Sequence, residues 1–588
     1  MCGIIGYVGK EEAAPLLLKG LESLEYRGYD SAGILTLSDK FHCVKNKGKV
    51  KQAILQESLS ALTGKIGIAQ TRWATHGSVT KENAHPHFSN SGDIAVVHNG
   101  IIENYQELKK ELEKQGFVFK TETDTEVLPN LIQKYMKDSD SFEKAFEQML
   151  RKIEGDYAVA AMFEKEHKIA AARKGSPLVL GVGAGEFFVA SDIPAFLNST
   201  KKVIFLREND FAFLSSAGIE VFNLAEGKVQ REIQIIEWNA EQAKKGNFDH
   251  FMLKEISEQA GVIRQALQQD KKSVMEIAKA IEDAHGVFFV ACGSSYHACL
   301  AASYKFSEIA REHVNVVHAS EFHNYNHFLK PDSLVIAVSQ SGETADVLDA
   351  VKAAKEKGSQ VISIVNVMGS SLTRESDSAL MMNAGPEICV LSTKTYTSQL
   401  TILTLIAYAL ADVYDEGYEN IRETINYIYY LTSDTMKNHI KKLSEKLKDV
   451  RHIYLIGRDL QYPTALEAAL KIKEVSYIHA EGFPAGELKH GPIALIEKGT
   501  PCIVFTSEET EKQVIGSALE LKARGAYIIG IGPNKNEAFD FFIKIREGNE
   551  TNSICQIIPI QILAYQLAVL KGCDPDKPRN LAKSVTVR

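Results

Sequence analysis

The chain has 588 residues, several times the ~100–200 residues of a usual domain, so two to four hydrophobic cores are expected. Hydrophobic residues make up 45% and charged residues 24%, which excludes collagen, long disorder and coiled coil. Lys and Arg number 67 against 75 Asp and Glu, a net charge of −8, so no positive field is available to hold nucleic acid and no such partner is expected.

The chain opens on Met1-Cys2-Gly3-Ile4-Ile5-Gly6, has no positive region before these apolar residues and continues into Lys10-Glu11-Glu12, unlike a signal peptide. To about residue 235, short β-rich runs such as Lys65–Arg72, Ile94–His98 and Asp156–Phe163 alternate with a few helical patterns, which predicts stacked sheets flanked by helices. The polar stretch between Trp238 and Asp249 has neither helical nor strand period and reads as a connection. Beyond it, the apolar runs Gly286–Ala291, Ser333–Val338 and Gln360–Val365 alternate with amphipathic helical stretches, the pattern of a parallel sheet covered by helices. Leu400–Ala411 reads as the longest strongly apolar stretch; it stops at Asp412, short of the ~20 residues that span a bilayer, so no membrane partner is expected. The strand-loop-helix patterns at Val287–Gly293 and Ile453–Gly457 lie 164 residues apart, and those at Leu334–Ser341 and Cys502–Glu508 about 167 apart, which predicts two copies of one α/β unit. Eight cysteines form no CxxC pair and no Cys/His cluster at metal-ligand spacing, so the chain reads as a reduced, cytoplasmic protein with no metal.

Once Met1 is removed, Cys2 carries a nucleophilic sulfur and a free α-amine whose pKa of ~7.7–8.0 suits a base near neutral pH. From position alone the blander reading is a small buried residue in an N-terminal strand. Four further segments follow in order: Glu25-Tyr26-Arg27-Gly28-Tyr29-Asp30-Ser31-Ala32-Gly33, Thr71-Arg72-Trp73-Ala74-Thr75-His76-Gly77, His98-Asn99-Gly100-Ile101-Ile102-Glu103-Asn104 and Thr123-Asp124-Thr125-Glu126. Together with the N-terminus they resemble the class II glutamine amidotransferase domain, an N-terminal-nucleophile hydrolase with a four-layer αββα sandwich. The resemblance implies that Cys2 attacks the side-chain amide of glutamine, releasing ammonia and leaving a thioester for water to hydrolyse. Asn99 and the backbone N–H of Gly100 suit the oxyanion, Arg72 the substrate α-carboxylate and Asp124 its α-ammonium; Trp73 and His76 are further substrate-binding candidates. Taken singly, Asn99-Gly100 is a common turn, Arg72 a strand-end ion pair and Asp124 a helix N-cap.

In the second half, Ser339-Gln340-Ser341-Gly342-Glu343-Thr344 follows a buried strand and opens a helix, so backbone N–H groups and hydroxyls converge where a phosphate can sit without a metal. Cys292-Gly293-Ser294-Ser295 repeats the arrangement, and serine-capped helices are the blander reading of both. Glu467, Lys471 and Glu474 share one face of a helix over Ala465–Tyr477, which on spacing alone reads as an amphipathic surface helix with ion pairs. The runs Tyr477–Gly482, Ala485–Pro492 and Pro578–Val587, with the phosphate loops and the repeat, resemble the glutamine:fructose-6-phosphate aminotransferase (isomerizing) family over essentially the whole chain.

That resemblance implies glutamine and fructose 6-phosphate as substrates, no cofactor, a homodimer, and two sugar-isomerase (SIS) doubly wound α/β units after the sandwich. It divides the chain into a glutaminase domain over 1–237, a linker over 238–250, SIS units over 251–430 and 431–579, and a catalytic tail over 580–588. It places the sugar phosphate among Ser295, Ser339, Gln340, Ser341 and Thr344. Lys583 would form an imine, Glu474 would move the proton, His490 would assist ring opening from the neighbouring subunit, and Glu467 and Lys471 would support. The chain departs from the family pattern at Ala260, Leu391, Asp459 and Arg588. An amidotransferase for another acceptor would share only the first half, and a phosphosugar-binding regulator would have no use for Cys2, Asn99 or Lys583. One sugar-phosphate site per chain is expected, because Thr506-Ser507-Glu508-Glu509 puts two carboxylates in the second copy's loop.

Overall fold

The computed structural model describes residues 2–139, 141–236 and 244–586. The expected linker lies outside the described residues up to position 243, as do Met1 and Arg588. The chain divides into two compact units, Met1–Lys244 with Glu343–Ala345 and Ala582–Arg588, and Lys245–Gly342 with Asp346–Leu581.

The first unit is built on an eight-stranded and a seven-stranded sheet. Gly3–Val8, Ile66–Arg72 and Ser31–Leu37 are neighbours in the larger; Ile94–Ile102, Gly155–Phe163, Lys168–Lys174 and Asp210–Ser215 run in order through the smaller. Period-two alternation decides which face each residue serves. Along Ile94–Ile102, Ala95 and Val97 join Ile4 and Ile68 between the sheets, whereas Ile94 and Val96 pack with Leu131 and Phe146 of the helices on the other side. The outer face of the larger sheet is covered by Leu17 and Leu21 of helix Ala13–Leu24. The layers are therefore helix, sheet, sheet, helix.

The second unit holds two parallel five-stranded sheets of identical order. In the first, Asn315–His318, Gly286–Ala291, Ser333–Ser339, Gln360–Val365 and Ser378–Met381 lie side by side; in the second, His479–Pro484, His452–Gly457, Pro501–Phe505, Tyr527–Gly532 and Phe541–Lys544 do. Both read 2-1-3-4-5, so the predicted duplication is real. The order reverses between the first and third strands, and a crevice opens there at the strands' carboxyl ends. Loops 292–295 and 339–342 follow those two strands at their carboxyl ends.

Helices Lys394–Leu410, Gln461–Ser476 and Asn552–Leu570 join both copies in one hydrophobic core. Asn552–Leu570 corrects the apolar reading of the sequence: its mean hydropathy of 1.7 makes it long and apolar enough to cross a membrane by length and composition. It is 83% buried, packing on Gln461–Ser476 and on helix Asp434–Leu447 as a core helix. Gln556, Pro559 and Gln561 interrupt its apolar run in the sequence and are themselves buried.

Lys305, at the end of helix Gly293–Lys305, is fully buried and donates to the Thr404 hydroxyl at 2.7 Å. Burial pushes its ammonium down to about 7. An unfolded lysine keeps its proton to ~10.4, so between these values the unfolded chain binds more protons and this residue's contribution favours folding more as pH rises. Urea midpoints taken from pH 7 to 9.5 should show that rising component in the parent and lose it in Lys305→Met.

Candidate functional site

In the first unit, Gly3 pairs with Thr71 and Ile4 with Gln70, so the antiparallel register brings Arg72 opposite Cys2. The half-buried Cys2 sulfur accepts the Trp73 N–H at 3.1 Å. Burial pushes the thiol up, opposed by the amino-terminal charge, this N–H and Arg72. From the facing sheet, the Asn99 amide donates to the Cys2 carbonyl at 3.0 Å and to the Ser191 hydroxyl at 2.8 Å. The next residue is Gly100, with φ of +113° and space for a Cβ only 2.0 Å from the Asp156 carbonyl oxygen. Only glycine lets the backbone approach the neighbouring strand here.

The blander readings of these residues fail. Asn99 and Gly100 lie within strand Ile94–Ile102, not in a turn. Arg72 gives its guanidinium hydrogens to the carbonyls of Ser78 and Gly77, at 3.2 and 3.3 Å, and of His76. Asp124 is buried, but its carboxylate caps no helix; it accepts the Ile102 N–H at 2.8 Å at the end of the strand that carries Asn99. Trp73 stands edge-on to Tyr29 with centroids 5.5 Å apart, and the half-exposed His76 does the same to Tyr105 at 5.5 Å. Sequence reasoning missed Ser191, Gln70 and Arg27. Ser191 also accepts the Ile4 N–H, Gln70 donates to Asn99 Oδ1 at 3.2 Å, and Arg27 Nε reaches the Cys2 carbonyl at 3.2 Å. Gln70 lies one residue before a quoted segment and Arg27 within one, but nothing in either residue type alone points to these contacts.

In the second unit, helix Gln461–Ser476 corrects the reading of a surface helix, because Glu467 and Lys471 are buried. Lys471 Nζ lies 2.8 Å from Glu474 and 3.4 Å from Glu467. Helix Gly293–Lys305 of the first copy completes the cluster: Ser294 donates to Glu467 and His297 Nδ1 lies beside it, each at 2.8 Å. Burial pushes Lys471 down, but the two carboxylates outweigh it and hold the ammonium above its ordinary value. Spacing could not reveal this burial, since the covering helix lies some 170 residues earlier in the chain.

In the loop after Ser333–Ser339, the Ser339 hydroxyl accepts the Gly342 N–H at 3.1 Å, and the Gln340 carbonyl accepts the Asn366 N–H at 3.3 Å. Gly342 has φ of +65°, and a Cβ there would meet Ser370 Oγ at 2.1 Å. Ser295 is buried and accepts from Gln399 at 3.0 Å; Ser341 and Thr344 are half-buried. The second copy's loop differs from expectation. Glu508 and Glu509 turn outward, and the carboxylate of Glu547 accepts the Glu508 N–H at 2.8 Å instead. His490 is exposed at the end of the 3₁₀ turn Ala485–His490. Lys583 is half-buried, in a tail whose Val585 carbonyl accepts the N–H of Ala345, the first residue of helix Ala345–Glu356, at 2.9 Å.

Models of two families match the chain: a glutamine amidotransferase domain over 71–198 and a SIS domain over both 280–409 and 446–571. Curated relatives match end to end. The glutamine–fructose-6-phosphate aminotransferase (isomerizing) of Pyrococcus horikoshii is 45% identical over 597 residues, covering 100% of both chains. That of Clostridium tetani is 44% identical over 611 residues with the same coverage. Among solved structures, the C-terminal domain of glucosamine-fructose-6-phosphate aminotransferase from Francisella tularensis aligns with a TM-score of 0.51 at 32% identity, covering 57% of this chain and 99% of that one.

Trp73 belongs to the first unit, and the second unit's described residues hold no tryptophan, so tryptophan fluorescence follows the unfolding of the first. Gly100→Ala should lower that unit's stability by at least about 1–2 kcal/mol for the left-handed backbone alone, with the contact to Asp156 adding to it. An unchanged denaturation midpoint would contradict the strand geometry at this position.

Proposed function

The chain belongs to the glutamine–fructose-6-phosphate aminotransferase (isomerizing) family, and on that premise we propose that it converts D-fructose 6-phosphate and L-glutamine to D-glucosamine 6-phosphate and L-glutamate. The observation that carries the reading is the presence in one chain of the Cys2–Asn99 cluster and the cluster of buried Glu467 and Lys471 with half-buried Glu474.

With Met1 removed, the Cys2 amine takes the thiol proton and the sulfur attacks the side-chain amide carbon of glutamine. The hydrogen that Asn99 gives to the Cys2 carbonyl is the one the developing oxyanion takes, and Gly100 supplies the second donor from a backbone fixed by its strand. Ser191 and Gln70 hold the Asn99 amide in orientation. The carbon–nitrogen bond breaks, ammonia leaves with the proton held by the amine, and water hydrolyses the thioester to glutamate. Arg72 and Asp124 receive the substrate's α-carboxylate and α-ammonium, with Trp73 and His76 beside them.

The phosphate of the ketose sits among Ser295, Ser339, Gln340, Ser341 and Thr344. In a cytoplasmic homodimer engaged in amino-sugar synthesis, His490 of the partner subunit opens the sugar ring, and Lys583 forms an imine with the ketone at carbon 2 with loss of water. Ammonia adds to that imine and displaces the Lys583 amine, leaving its nitrogen on carbon 2. Glu474 then carries a proton between carbons 1 and 2, with Lys471 and Glu467 fixing its position and charge. No metal or organic cofactor enters this chemistry. We take the domains to be 1–237, 251–430 and 431–579, with a tail from 580. Product identification after mixing the protein with glutamine and fructose 6-phosphate tests the whole reading; a product other than glucosamine 6-phosphate overturns it.

Cys2→Ala should lower glutamine hydrolysis by at least about a thousandfold while interconversion of hexose phosphates continues. Glutaminase activity surviving in that variant removes the nucleophile assignment. Lys583→Ala should bind fructose 6-phosphate but yield no sugar adduct after borohydride reduction, read by mass spectrometry; an undiminished adduct refutes the lysine's role. Glu474→Gln should keep the adduct yet slow hydrogen exchange at the sugar carbons about 10²–10⁴-fold, the usual contribution of a general base.

A further inference from the structure

The acidic and basic residues of helix Gln461–Ser476 are held from outside their own helix. Glu467 has no exposed surface, and its two oxygens are served separately. Oε1 accepts from Ser294 at 2.8 Å and lies 3.4 Å from Lys471 Nζ. The one hydrogen bond to Oε2 among the described residues comes from His297 Nδ1, at 2.8 Å. Since an ionised carboxylate can only accept, the imidazole must carry its hydrogen on Nδ1. Lys471 in turn donates to the Ser294 hydroxyl at 3.0 Å and contacts Glu474 at 2.8 Å.

We propose that His297 is a positioning residue for the isomerase step: its Nδ1–H keeps Glu467 ionised and aimed at Lys471, and Lys471 so anchored holds Glu474 in place to move the proton. The proposal rests on the assignment of Glu474 and extends it to a residue in the other repeat copy, which never touches the sugar.

Burial by itself would push Glu467 up; the Lys471 ammonium, His297 and Ser294 together hold it below its ordinary value. Tyr396 faces Glu467 from helix Lys394–Leu410, and Lys471 and Glu474 face it from its own helix. Tyr296 and His318 face His297, the two rings stacked with centroids 3.5 Å apart. None of these supplies Oε2 with a hydrogen bond. Without His297, a buried carboxylate oxygen has no donor, and the group takes up a proton at higher pH. A neutral Glu467 leaves Lys471 with one carboxylate anchor instead of two. Lys471, drawn to Glu474 alone, then no longer holds that carboxylate in place to move the proton.

The experiment measures fructose 6-phosphate hydrogen exchange against pH in the full-length protein. His297→Leu fills the space without a donor, and His297→Asn sets its amide nitrogen where Nδ1 stood. In the leucine variant the acid limb of the rate should move up by about one to two pH units, as expected for one lost hydrogen bond to a charged group. The loss should fall on kcat rather than KM, and calorimetric binding of a hexitol 6-phosphate should be unchanged. The asparagine variant should restore the parental profile. An unshifted acid limb in the leucine variant overturns the proposal, as does an equal loss in both variants accompanied by weaker hexitol 6-phosphate binding. If the leucine variant does not fold, the asparagine variant decides: the parental profile is expected, and a tenfold loss overturns the proposal. Glu474→Gln separates the two levels. Full exchange in that variant removes the Glu474 assignment, whereas an inactive Glu474→Gln beside an unshifted His297→Leu profile removes only the role of His297.

Discussion

A carboxylate without exposed surface dictates much of the second unit. An ion of that size loses several kcal/mol of hydration on entering the interior, and it stays charged only if every lone pair is matched. Glu467 meets this requirement with groups that no single helix can supply, a lysine one turn along its own helix and a serine and a histidine from the other repeat copy. The cluster therefore exists only when both copies are docked in one frame. That frame is the shared core around Lys394–Leu410, Gln461–Ser476 and Asn552–Leu570, apolar on nearly every side. Burial strengthens each electrostatic contact and removes competing water, so the geometry of the charged face inherits the rigidity of the core.

The first unit solves a different problem with backbone rather than buried charge. Its reactive sulfur sits at a strand's very beginning, where a chain is usually loose. Cys2 is held by contacts from sequence-distant elements: the Trp73 N–H on the sulfur, and Asn99 and Arg27 on the carbonyl. Asn99 can reach it because the two sheets face each other across one shared core, in which Ala95, Ala158 and Ala160 stand among larger apolar residues. Within its own sheet Gly100 stands so close to the Asp156 carbonyl oxygen of the paired strand that no side chain fits, so any donor at that position is a main-chain N–H. Sheet stacking thus fixes the Asn99 amide and strand pairing fixes Gly100, each independently of any ligand.

What could be read from the chain divides along the range of the interactions involved. Strand Gln360–Val365 was legible to the residue, because continuous β-branched runs bounded by polar turns are local signals. The duplication was legible from spacing, and the observed strand orders match it. Helix Gln461–Ser476 was legible as a helix but its environment was not, since the i, i+4, i+7 pattern of Glu467, Lys471 and Glu474 is the same on a wet face as on a buried one. Asn552–Leu570 escaped notice for the converse reason: a helix covered all round has no stripe, and its buried glutamines and proline look like interruptions. Ser191, Gln70 and His297 carried no signal, because their importance lies in which distant atom they meet.

The two copies of the α/β unit begin from one topology and end with different electrostatics at the corresponding loop. In the first copy the chain turns through a glycine in the left-handed region, with Ser370 where any side chain would project, and serine hydroxyls and main-chain N–H groups line the loop. In the second copy Ser507 and Thr510 hydrogen-bond to each other at 2.9 Å, and the Glu547 carboxylate occupies the Glu508 N–H. A helix N-terminus favours one anion by only ~0.3–1 kcal/mol when exposed, too little to draw a phosphate to a place where a carboxylate already stands and must be displaced or endured as a like charge. An internal anion thus satisfies the Glu508 N–H of the second loop without a ligand, and a neighbouring helix of that copy sets Glu467 and Lys471 against helix Gly293–Lys305 of the first. Duplication followed by self-occupation of one loop leaves two units of one topology with unlike electrostatics at corresponding places.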